Sequence, residues 1–92
     1  MSELAAPDDL LDERSLSKLK WRCRRGLLEN DLFIERFFQR HEAHLTVRQA
    51  QGLNTLMDLS DNDLLDLLLR RQQPEGALDT ADVNEVLEML ST

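Results

Sequence analysis

The chain has 92 residues, 41% hydrophobic and 32% charged, with a formal net charge of −7. Such a length suits one domain around one small core, and such a charge argues against general nucleic-acid or anionic-membrane binding, which needs a cationic face. A single cysteine excludes an internal disulfide, no apolar run reaches the roughly 20 residues of a membrane span, and a cytoplasmic protein without membrane insertion is expected.

Residues 1–12 contain Pro7 and Asp8-Asp9 and read as an acidic, flexible leader, with a single helical-bundle domain over 13–92. The first thirteen residues carry five acids and no base, unlike a signal or transit peptide. A first helix follows, with Leu16, Leu19 and Cys23 at i, i+3 and i+7, and Gly26 is expected to stop it. A second helix is expected from Leu27 or Leu28 to about His41. Its Leu28, Leu32, Phe33, Ile34, Phe37 and Phe38 cover more than half the circumference, the pattern of a helix buried at the centre of a bundle. Truncating Phe37 or Phe38 to Ala in such a core costs about 3–5 kcal/mol.

Thr46-Val47-Arg48-Gln49 is a capping box that opens a third helix with core positions Ala50, Leu53, Leu56 and Met57. Ser60 caps a fourth, rich in leucine from Leu64 to Leu69, which Pro74 and Gly76 are expected to end. A last helix starts near Asp79 or Thr80, and Val83, Val86, Leu87 and Leu90 keep helical spacing throughout. No segment alternates with period two. The expected fold is all-α, a compact five-helix bundle with short loops.

Few residues offer chemistry. His41-Glu42-Ala43-His44 lacks the spacing of a zinc-protease helix, and there is no CxxC pair, so no metal site is expected. The two histidines suit a helix end, where a cation favours the dipole. Cys23 has cationic neighbours that lower a thiol pKa, but it shares a face with Leu16 and Leu19, so a buried role is expected rather than a nucleophile. Three scattered glycines build no phosphate loop. No enzyme activity is expected.

The remaining feature is a charge corner. Arg14 to Arg25 holds six of the eleven basic residues and no acid, and ends beside Trp21 and Cys23. Two readings fit. In one, Arg24 and Arg25 complement the end of the first helix, Gly26 turns left-handed, and Glu29 and Asp31 complement the start of the second. In the other, the crowded charges and the exposed glycine backbone anchor another protein.

The string Trp21-x-Cys23-Arg24-Arg25-Gly26-x-x-Glu29-x-Asp31, followed by Phe37-Phe38, resembles the SdhE/YgfY family of flavinylation factors, bacterial relatives of the mitochondrial succinate dehydrogenase assembly factor. The family's Arg-Gly-x-x-Glu motif is matched by Arg25, Gly26 and Glu29, and the likeness runs from about Leu16 to Leu90, including Leu56-Met57-Asp58. Asn30 departs from an apolar residue common at that place, and the acidic leader has no counterpart. The resemblance implies a five-helix bundle acting as an assembly chaperone. Its partner would be the flavoprotein subunit of succinate dehydrogenase or fumarate reductase. Its effect would be to promote covalent attachment of FAD to that partner while holding no cofactor stably itself. Trp21, Arg24, Arg25, Gly26, Glu29 and Asp31 would face the partner, and the free chain would be a monomer. Some family members are alternatively labelled antitoxin components, which implies an acidic helical interaction module instead.

Overall fold

Side-chain caps mark the start of four of the five α-helices in the computed structural model, which describes residues 9–24 and 27–91. Asp12 opens α1 (Glu13–Arg22), where its carboxylate accepts from the Ser15 backbone N–H at 3.1 Å and the Ser15 hydroxyl at 2.6 Å. Those two bonds favour the ionised form and hold the Asp12 carboxyl below its usual pKa. The reciprocal pair of Thr46 and Gln49 opens α3 (Val47–Met57), completing the expected capping box. Ser60 opens α4 (Asp61–Leu68) and Thr80 opens α5 (Ala81–Ser91), each accepting from a backbone N–H three residues on. The exception is α2 (Leu28–His41), which has no side-chain cap and relies on Glu29 and Asp31 in its first turn. Short 3₁₀ turns at Glu42–His44 and Gly76–Leu78 complete the chain, which forms no strand among the described residues.

The core joins all five helices. Phe37, Leu53, Leu56, Leu64, Val86 and Leu87 are among its fully buried members. Phe37 and Phe38 meet edge to face, with centroids 5.2 Å apart, a favoured aromatic geometry. The most extensive helix pairing is α3 on α5. Gly52 makes it possible, because a Cβ there would lie 2.7 Å from the Asp82 carbonyl oxygen and 3.2 Å from Val86 Cγ2.

Three expectations change, and the leader falls only partly within the described residues. Residues 1–8 of the leader lie outside the described part, while Asp9 to Leu11 pair antiparallel with the segment before α3 through Leu11 N–H to Leu45 O and Val47 N–H to Asp9 O. The first helix ends at Arg22, before Arg24 and the expected stop at Gly26. Its last turn tightens as the Arg24 N–H bonds the Trp21 carbonyl three residues back, with Cys23 fully buried beside it. The second helix buries only part of its wide apolar stripe: Ile34, Phe37 and Phe38 are buried, but Leu28 is 68% and Leu32 51% exposed. The fourth helix stops well before Pro74. Arg70 sits in the left-handed region at φ 63°, with Arg70 N–H bonded to Leu67 O and Arg71 N–H to Asp66 O. This is a Schellman turn with arginine where glycine is usual.

Candidate functional site: the corner between α1 and α2

The last turn of α1 and one face of α2 border a groove of about 560 Å³. Its floor is Cys23, Ile34 and Phe38, all buried apolar groups that helical spacing turns inward. The two rims differ in charge: Arg24 lies on the α1 side, Asp31 and Glu35 on the α2 side. At one end Lys20 Nζ meets Glu42 Oε1 at 2.8 Å and stands over the Phe38 ring, 5.8 Å from its centroid.

Trp21 is the most exposed large apolar side chain among the described residues, at 72%. The Arg24 guanidinium lies 5.1 Å from its ring centroid, a cation–π stack that presents an aromatic plane and a charge together. Arg22, one residue from Trp21, reaches the other way. It donates to Asn54 Oδ1 at 2.8 Å and to Asp58, fastening the end of α1 to α3. The first turn of α2 is fastened similarly, as fully buried Asn30 donates from Nδ2 to the Asp61 backbone carbonyl at 3.0 Å. Asn30 Oδ1 is buried without a partner. The corner is therefore held by two side chains that themselves point into the scaffold.

Of the residues singled out in the sequence, the structure brings Trp21, Arg24 and Asp31 to one groove. Glu29 stands apart from it, exposed in the first turn of α2. Arg25 and Gly26, including the expected left-handed glycine, lie outside the described residues. Sequence reasoning missed Lys20, Glu35 and Glu42. The spacing of Asp31, Glu35, Phe38 and Glu42 at i, i+4, i+7 and i+11 is the signal that joins them on one side. Cys23 has 0% exposure and carries no disulfide, matching its expected buried role. His41 ends α2 and His44 ends the following 3₁₀ turn, and no cluster of three metal-ligating side chains occurs among the described residues. No described helix is long and apolar enough to cross a membrane.

Comparison with known proteins bears on this corner. The family model described as flavinator of succinate dehydrogenase matches residues 17–92. The chain is 52% identical to the FAD assembly factor SdhE of Ralstonia nicotianae, over 86% of this chain and 83% of that protein. It is 40% identical to the protein of that name from Coxiella burnetii, over 65% of this chain and 73% of the relative. The Legionella pneumophila protein is 35% identical over 74% and 86%. No solved structure gives a significant match. The match spans α2 to α5, most of α1 and the groove between α1 and α2, and the chain belongs to the family of succinate dehydrogenase flavinators, the FAD assembly factors.

Proposed function

We propose that this chain docks its α1–α2 corner on the flavoprotein subunit of succinate dehydrogenase, and of fumarate reductase, and promotes covalent attachment of FAD there. The observation that carries this reading is the Trp21–Arg24 stack, an exposed aromatic and cation beside a groove with oppositely charged rims. Tryptophan and arginine are the residues most enriched at energetic centres of interfaces. The family's description as flavinator of succinate dehydrogenase supports taking the partner from that enzyme.

The factor acts by position. Docking would hold the partner so that the side chain that takes the flavin and the flavin itself meet, and orientation of that kind lowers a barrier without a reacting group from the helper. The chain then needs no catalytic residue and retains no cofactor of its own, since FAD belongs to the partner. It works as a monomer in the cytoplasm.

The test compares the flavoprotein subunit from cells with and without this chain, scoring covalent flavin by fluorescence of the denatured protein. Loss of covalent flavin without the chain, restored by re-expression, is the expected result. Equal flavin in both strains would remove the assignment.

A further inference from the structure

The second helix carries more apolar surface than this fold covers. Leu28 and Leu32, 68% and 51% exposed, are one helical turn apart and so adjoin on one face. A single exposed leucine such as Leu69 needs no explanation. Two at i, i+4 within the apolar stripe of a helix whose pattern predicts a place at the centre of the bundle do. We propose that Leu28 and Leu32 form an apolar ridge that extends the docking surface along α2 and seats in an apolar recess, rimmed by lysine or arginine, on the flavoprotein subunit. This rests on the functional reading above.

Charge identifies the occupant. Glu29 and Glu35 lie within one turn of the ridge, whereas the cation one turn beyond Leu32, Arg36, stands over the Phe33 ring at 5.8 Å. A surface that covers the leucines must face those carboxylates, and cations there satisfy them. A second copy of this chain presents carboxylates to carboxylates on a molecule already at −7. A stable dimer also needs about 800 Å² per partner, more than two leucines and one tryptophan supply. The ridge starts at the first residue of α2, in the same corner as the Trp21–Arg24 stack. One partner can therefore cover both.

The experiment measures the affinity of purified flavoprotein subunit for the unaltered chain, for Leu28→Ser with Leu32→Ser, and for Leu69→Ser. Melting temperature and solution mass are recorded for each. Removing two leucines that the contact would bury should weaken binding about tenfold or more, with melting temperature unchanged and Leu69→Ser neutral. Single Leu28→Ser keeps the test open if the double variant melts lower, and should weaken binding several-fold. Glu35→Lys, which leaves the ridge intact, should slow association and flatten its dependence on salt. If the unaltered chain binds and both serine variants bind equally well, the ridge is overturned while the corner reading stands. Self-association that depends on the two leucines, with subunit binding unaffected, would assign the ridge to a second copy and overturn it too. If the unaltered chain fails to bind the subunit, the functional reading falls first and the ridge with it.

Discussion

The Arg24 guanidinium lies 5.1 Å from the centroid of the Trp21 ring, and neither side chain is used by the core. An exposed cation–π pair contributes only about 0.5–1 kcal/mol. A tryptophan left 72% in water contributes little hydrophobic stabilisation. The pair is thus inexpensive to lose for folding and valuable for recognition.

Trp21→Ala and Arg24→Ala should each leave the melting temperature within a few degrees of the parent, since 1 kcal/mol corresponds to about 4–8 °C in a domain of this size. Affinity for the flavoprotein subunit should fall by about 2 kcal/mol or more for Trp21→Ala. Titration calorimetry beside a thermal melt separates the two. Parallel losses of stability and binding would make the stack a scaffold feature.

Glu29 is exposed and makes no ion pair or side-chain hydrogen bond among the described residues. Its stabilising role is limited to the α2 dipole, about 0.3–1 kcal/mol. Glu29→Ala should therefore melt almost normally, yet weaken subunit binding by about 2–5 kcal/mol if the carboxylate meets a cation across a desolvated contact. Arg25→Ala is the companion variant. Normal binding by both variants would confine that end of α2 to a helix-capping role.

Gly52 answers to packing instead. A methyl group placed there meets the Asp82 carbonyl oxygen at 2.7 Å, and a backbone atom cannot swing aside as a side chain can. Gly52→Ala should push α3 and α5 apart and destabilise by about 1–3 kcal/mol. A chemical denaturation midpoint that is unchanged or higher would contradict this. The change lies in the α3–α5 interface, so subunit affinity measured on the folded fraction should hold.

Helix starts were readable because capping is local: Thr46 with Gln49, and Ser60, announce themselves within four residues. Core faces on α3 and α5 followed from spacing, as Leu53, Leu56, Val86 and Leu87 show. Helix ends were less readable. Arg70 takes a left-handed conformation without being glycine, so Pro74 drew the boundary too late. Exposure of Leu28 and Leu32 was unreadable for a different reason. Periodicity measures how wide an apolar stripe is, whereas its covering depends on which helices arrive, and among the described residues none covers that face. At the site, Trp21, Arg24 and Asp31 are near enough in sequence to be grouped in advance. The Lys20–Glu42 pair, 22 residues apart, exists only through the α1–α2 arrangement.

Asn30 links these questions of stability and docking. It is fully buried at the start of α2, with Nδ2 bonded to the Asp61 carbonyl but Oδ1 lacking a partner. The bond is worth about 1 kcal/mol net, while a buried acceptor left unsatisfied costs about 1–3 kcal/mol. Leucine has the same branched skeleton, with two larger methyls and no polar atom, so Asn30→Leu removes the penalty and adds buried apolar surface. The expected result is a gain of about 1 kcal/mol, or about 4–8 °C in melting temperature. If the asparagine earns its place by aligning the first turn of α2, the same variant should bind the flavoprotein subunit more weakly despite melting higher. A lower melting temperature would mean that the amide's bonds to Asp61 outweigh the orphaned oxygen, and that the α2–α4 junction depends on the amide for folding itself.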